Sequence, residues 1–185
     1  LGRAGDPRNL QLLRPALRSE TEPALRLAIA ECVYLSDPDG ETSRRTFLEA
    51  IPADPRIFGR LWAAGAAEDP RPVLASLGDL AGEGAPDALA KLVELTQASA
   101  LDGQLATAIA DLVASVAASA PEELVLALRA APASAQEPAI GALGAGLVRS
   151  EEQEHPFPAR LRELAGTDGD AGTFARALEP RLAEA

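Results

Sequence analysis

The sequence predicts an all-α protein, a right-handed α-solenoid of about five helical hairpins closed by a C-terminal capping helix. The first observation is a ladder of aspartates, each followed by Pro or Gly, at intervals of 31, 32, 33 and twice 33 residues: Asp6, Asp37, Asp69, Asp102 and Asp168. This interval suits two helices with their turns. The second is composition. Apolar residues reach 47% but aromatic residues only 3%, because the apolar residues are mostly Ala and Leu, which favour helices.

We therefore expect one solenoid domain over residues 1–185. Its hairpins are predicted near residues 6–36, 37–68, 69–101, 102–133 and 134–167, with the cap at 168–185. Ser134 takes the place of the missing aspartate in the fifth hairpin. At Asp6-Pro7 and Asp69-Pro70, a capping carboxylate precedes a proline at the first helical position, where the missing N–H costs nothing. Four further prolines are predicted to begin the second helices of the first four hairpins: Pro23, Pro55, Pro86 and Pro121.

Between these markers, apolar residues recur at the i, i+3, i+4 and i+7 positions of amphipathic helices. The first helix of the second hairpin is predicted to be short, about residues 42–50, because Pro52 ends it. Residues 131–158 contain many prolines and glycines. Within them, Gly141, Gly144 and Gly146 permit close helix packing, but we interpret them as a thin, flexible helix.

The openings of the second helices resemble HEAT repeats. Glu22-Pro23-Ala24-Leu25-Arg26 has the acid, proline, aliphatic residue and arginine of the HEAT second helix, and Asp54-Pro55-Arg56-Ile57 begins in the same manner. Lys91 follows Pro86 at the distance at which Arg60 follows Pro55. The resemblance covers residues 6–100. It implies a HEAT-like α-solenoid in which Arg26, Arg60 and Lys91 contribute to a polar ladder between repeats.

Charge narrows the classes of partner. The net charge of −11 and the pI of about 4.6 disfavour nucleic acid and anionic membranes, because phosphate repels an acidic chain. Residues 1–62 are balanced, with nine Arg and nine acids, whereas residues 63–130 have three basic and ten acidic residues. The longest run of apolar residues and glycines, 139–148, is too short to span a membrane.

Compartment and oligomeric state stay open. The chain has no Met, so we expect that a leader was removed or that this is a piece of a longer protein. Both a cytoplasmic and an exported protein fit. The single cysteine allows no internal disulfide and gives no redox compartment. One Lys against sixteen Arg, with abundant Ala, is typical of a GC-rich bacterial genome.

Residues that could carry chemistry are few. The segments 37–41 and 168–172 are acidic and glycine-containing, yet Thr42 and Leu48 stand where a calcium loop from Asp37 needs Gly and Glu. We interpret both segments as turns. His155 follows Glu151, Glu152 and Glu154 and could ligate a metal, but an exposed acidic loop is the simpler interpretation. Cys32 is expected to be a small core residue. No catalytic residue, cofactor or metal site is predicted.

The predicted function is a non-catalytic scaffold or adaptor that binds another protein or peptide on its second helices. The expected partner-binding residues lie in the first three hairpins: Arg26, Arg56, Arg60, Lys91 and Trp62. Trp and Arg are frequent at interface hot spots. Arg14/Arg18 and Arg56/Arg60, with Arg44 and Arg45, could form a basic concavity, or they could pair with nearby acids. Two alternatives remain: a HEAT-like nucleic-acid-processing module, since HEAT-like folds include DNA glycosylases, and a compact helical ligand-binding domain.

Overall fold

The computed structural model describes residues 6–63, 71–100, 102–150 and 155–184, and over these ranges every regular element is a helix. The predicted all-α class is therefore confirmed. The chain divides into two compact units, Leu1–Ser76 and Leu77–Ala185. The arrangement as one solenoid of five hairpins stays a prediction.

The first unit contains four helices and the start of a fifth, preceded by a 3-10 turn at Pro7–Asn9: α1 Leu10–Ser19, α2 Pro23–Ser36, α3 Glu41–Ala50, α4 Pro55–Ala63 and α5 Arg71–Gly82. The unit boundary falls within α5. Helix α2 packs against both α1 and α3. Between α1 and α2 lies an apolar cluster of Leu13, Leu17, Ala30 and Val33, with the half-buried Cys32 packed against it. Tyr34 is buried and stacks on Phe47, with ring centroids 5.2 Å apart.

The prediction that four prolines begin helices is confirmed. Pro23, Pro55, Pro86 and Pro121 are each the first residue of a helix, because a proline in the first turn gives up no hydrogen bond. The first α-helix is different: a 3-10 turn occupies Pro7–Asn9 and the α-helix begins at Leu10. Asp69 and Pro70 lie outside the described residues.

The second unit contains the rest of α5, a 3-10 segment at Thr96–Ala100 and six further helices: α6 Pro86–Leu95, α7 Gly103–Ser119, α8 Pro121–Ala130, α9 Ala133–Arg149, α10 Phe157–Ala165 and α11 Asp170–Glu184. Asp102 caps α7 as the ladder predicts, accepting hydrogen bonds from the N–H groups of Gln104 and Leu105 at 2.8 and 2.9 Å. Helix α7 packs extensively along α9, α9 contacts α11, α6 packs on α8, and α8 contacts α10 and α11. The core is mostly aliphatic, with Leu89, Leu92, Leu105 and Leu124 fully buried, and it includes the buried ring of Phe157.

The glycines of α9 lie in a closely packed helix, which corrects the interpretation of this segment as thin and flexible. The helix continues through Pro138 for 17 residues. Gly144 and Gly146 are buried. A β-carbon at Gly146 would overlap the carbonyl oxygen of Ala110 and lie 2.8 Å from the β-carbon of Ala114 on α7. Close packing against α7 therefore requires glycine at this position.

Among the described residues, no helix combines the length and the apolar character needed to cross a membrane.

Candidate functional site

Arg26, the first predicted partner-binding residue, is exposed on α2 and contacts its own hairpin. Its guanidinium donates hydrogen bonds to the carbonyl oxygens of Leu17 and Glu20, at 3.2 and 3.5 Å. These carbonyls lie at the C-terminus of α1, where helical carbonyls lack intrahelical partners. Arg26 therefore ties the end of α1 to the start of α2.

The three predicted residues on α4 do share one helix. Arg56 and Arg60 are exposed, four residues apart, and so lie on one helical face. Trp62 is half-buried in the last turn of the same helix. The fifth predicted residue, Lys91, belongs to α6 in the second unit and donates to Glu94 at 3.0 Å.

Two other arginines of the proposed basic concavity, Arg14 and Arg44, contact acids of their own unit. Arg14 lies 3.4 Å from Asp37, and Arg44 lies 3.8 Å from Asp39 while donating to the carbonyl oxygen of Pro38 at 2.6 Å. Pairing with nearby acids was the alternative to a basic binding concavity, and it is the arrangement seen for Arg14 and Arg44.

The turn between α2 and α3 is stabilised by hydrogen bonds to the carboxylate and the carbonyl oxygen of Asp37. The buried hydroxyl of Ser43 donates to an Asp37 carboxylate oxygen at 2.8 Å, and Arg14 contacts the same oxygen. The N–H of Gly40 donates to the Asp37 carbonyl oxygen at 3.1 Å. In the part of the chain that the structure describes, no three His, Cys, Asp or Glu side chains converge as metal ligands would.

His155 is half-buried and contacts α7, which corrects the expectation of an exposed loop position. Its Nδ1 accepts a hydrogen bond from the N–H of Phe157 at 3.2 Å, and its Nε2 lies 3.0 Å from the carbonyl oxygen of Ala114. Because Nδ1 accepts, Nε2 is the protonated nitrogen and donates to Ala114. Both ring nitrogens are therefore engaged in holding the start of α10 against α7.

An apolar groove lies between α6 and α8; we call it the α6–α8 groove. Its volume is about 480 Å³. Leu126 forms part of one wall and is 41% exposed. The lining is predominantly aliphatic and small: Gly84, Pro86, Leu89, Ala90, Val93, Leu126, Ala127, Ala130, Ala131, Pro132 and Ala135.

The charged side chains that line this groove are both acidic. Glu123 lies at the first turn of α8, where its side chain is in contact range of Gly84, which has a φ of +80°. Glu94 lies in the last turn of α6 and is 45% exposed. Residues 77–185 contain 17 acidic and 7 basic side chains, so ten of the eleven net negative charges belong to this unit. The groove is therefore apolar along its length and acidic at both ends.

The sequence contained one signal for this groove that our prediction did not use. On α8, Leu124, Val125 and Leu128 are buried, whereas Leu126 points away from that stripe. Leu126 alone would be an ordinary exposed leucine, but together with nearby small residues it contributes to a second apolar face. Small residues at Ala90, Ala127 and Ala130 leave space beside it.

A second depression, of about 580 Å³, lies between the end of α9, α10 and the end of α11. Its polar lining consists of His155, Arg162 and Glu179, side chains of mixed charge. Neither lining contains a Ser or Cys nucleophile beside a His, the arrangement of triad-type acyl-transfer enzymes.

The chain matches no protein-family model, no curated protein and no solved structure; its own geometry is therefore the basis for a functional proposal.

Proposed function

We propose that this protein is a non-catalytic interaction scaffold that binds a partner protein or peptide in the α6–α8 groove. The observation that carries the proposal is the groove itself, which has a volume of about 480 Å³, an aliphatic lining with an exposed leucine, and charged ends. Contiguous exposed apolar surface bounded by polar residues is typical of binding sites.

The packing within the second unit supports a scaffold built from stacked hairpins of the HEAT-like kind. Alternate helices lie side by side, α7 with α9 and α6 with α8. Hairpins that stack on their neighbours have this pattern, and their equivalent helices form continuous walls along which partners bind. Helix α6 is the second helix of the third predicted hairpin and includes Lys91, one of the predicted partner-binding residues, whereas α8 belongs to the fourth hairpin, where no partner-binding residue was predicted.

A compact ligand-binding domain is the second candidate, because the groove volume falls in the range of small-molecule sites, about 300–1,000 Å³. We favour a polypeptide because the groove lies along helix faces and has a carboxylate at each end. The nucleic-acid alternative has less support, since 17 acidic residues against 7 basic ones in residues 77–185 repel phosphate.

The test is affinity capture from source lysate with wild type and three variants, followed by binding measurements with the purified partner. The double variant Leu126→Gln/Ala130→Gln makes the groove polar and bulkier without changing charge. Leu12→Gln is its control, because Leu12 is 71% exposed on α1 in the first unit. Arg56→Glu/Arg60→Glu tests the site on α4.

We expect one partner to be captured by wild type and Leu12→Gln and lost from the groove variant. A partner lost only from the arginine variant would place the site on α4 and contradict the groove. If no variant differs from wild type in partner binding, neither site is correct. Native mass spectrometry that shows a bound apolar small molecule, displaced by the groove variant, would favour the second candidate.

A further inference from the structure

We infer that the α6–α8 groove selects an amphipathic helix with a basic residue at each end of a two-turn apolar stripe. This inference rests on the proposed function and specifies the chemistry of its partner.

The length of the groove sets the length of the stripe. At one end lie Gly84, Pro86 and Glu123, and at the other lie Glu94 and Pro132. The α6 segment between Pro86 and Glu94 rises about 12 Å at 1.5 Å per residue. A helix lying along it presents apolar side chains at i, i+3 or i+4, and i+7, which is two turns.

The absence of free backbone partners in the walls favours a helical occupant. Both walls are helices, α6 and α8, whose central backbone groups are hydrogen-bonded within each helix, so only the helix ends offer unpaired N–H and C=O groups, and the floor is aliphatic. An extended peptide would leave its own N–H and C=O groups without partners along this surface, which is unfavourable when they are removed from water. A helix satisfies these groups internally and buries only its apolar face.

The carboxylates at the two ends determine the charge of the occupant. Lys91 contacts one oxygen of Glu94, Oε2, which leaves Oε1 for a second cation. Glu123 extends along the other end beside Gly84. Complementary charge raises association rates and discriminates against like-charged partners. In a unit with ten net negative charges, an acidic or phosphorylated helix is therefore rejected, and Lys or Arg at both ends is favoured.

The experiment is a selection from a displayed library of helical peptides, using the full chain as bait. Each peptide carries Leu at i, i+4 and i+7, with randomised residues flanking that stripe. We expect enriched peptides to carry Lys or Arg on both sides. Glu94→Gln and Glu123→Gln should each weaken the binding of a purified enriched peptide about two- to fivefold, the effect of an exposed ion pair. The control, Glu122→Gln, removes a neighbouring carboxylate on α8 that lines a different depression, next to α10, and not the groove, and should leave binding unchanged.

The outcomes separate this inference from the proposed function. Enriched peptides without basic flanks, or peptides insensitive to both Gln variants, overturn the inference; if Leu126→Gln/Ala130→Gln still abolishes their binding, the proposed function stands. No groove-dependent peptide at all contradicts both. Sedimentation that shows self-association lost in the groove variant identifies a second copy as the occupant and overturns the basic-helix partner.

Discussion

Gly146 on α9 lies directly against the carbonyl oxygen of Ala110 on α7, so close that a β-carbon at position 146 would overlap that oxygen. Because the obstacle is backbone inside a helix, it cannot move aside as a flexible side chain would. This contact sets the separation of α7 and α9, the most extensively packed helix pair in the described residues.

We predict that Gly146→Ala destabilises the protein by about 1–3 kcal/mol, the range for overpacking a closely packed interface. Gly141→Ala is the matched control. It lies on the same helix with open space around its would-be β-carbon, and replacing a helical glycine by alanine there should stabilise by about 0.5–1 kcal/mol. Urea unfolding monitored by circular dichroism measures both. Equal effects of the two substitutions would contradict the packing described for α7 and α9.

The two aspartates of the α2–α3 turn should behave differently. Asp37→Ala leaves the buried Ser43 hydroxyl without its acceptor, which we expect to cost about 1–3 kcal/mol. Asp39 is fully exposed and lies 3.8 Å from Arg44, so Asp39→Ala should change the free energy of unfolding by less than about 0.5 kcal/mol. Denaturant unfolding of the two variants tests this. If Asp39→Ala lowers the free energy of unfolding more than Asp37→Ala does, the turn depends on the Asp39 carboxylate instead.

His155 is predicted to act as a structural hydrogen-bonding residue. His155→Ala removes its bonds to Ala114 and Phe157, and we expect a loss of about 1–2 kcal/mol. Arg160→Ala, on the exposed side of α10, should lower the free energy of unfolding by less than about 0.5 kcal/mol. Thermal unfolding with and without added Zn²⁺ supplies the second readout. A zinc-dependent rise in Tm that His155→Ala abolishes would contradict the structural role.

The pKa of the Asp6 carboxyl lies below its ordinary value of 3.8, chiefly because the Arg8 side chain hydrogen-bonds to it and secondarily because the Arg8 N–H does. A depressed carboxyl pKa contributes stability that is present above the unfolded pKa and is lost as the pH falls through the folded pKa. Arg8→Gln should raise the Asp6 pKa toward its ordinary value in a carbon-13 carboxyl titration by NMR, and high salt should do so in part. An unchanged titration in the variant would show that Arg8 does not hold the carboxyl.

Local features of the fold were predictable because their causes are local. Pro23, Pro55, Pro86 and Pro121 begin helices since the proline ring sets φ and lacks an N–H within the residue itself. The Asp102 cap depends on N–H groups two and three residues away. Such signals do not require knowledge of which helices meet.

The candidate site was less predictable because it depends on helix pairing. The sequence pattern placed binding on arginines. In the structure, however, Arg26 donates to a carbonyl oxygen at the end of α1, and Arg14 and Arg44 contact nearby acids. The groove arises where Ala90 on α6 faces Ala127 and Ala130 on α8, beside the exposed Leu126. Periodicity distinguishes a buried stripe from an exposed face, but it does not show which small residues from different helices leave space together.

By itself, the sequence determined the helical class, the starts of the second helices and the acidic character of residues 77–185, because propensity, proline geometry and charge belong to residues and their near neighbours. Tertiary structure alone decided that Gly146 meets Ala110, that His155 binds the Ala114 carbonyl, and that Glu94 and Glu123 flank one apolar groove. These relationships join residues 29 to 41 positions apart, and their geometry follows from how whole helices pack.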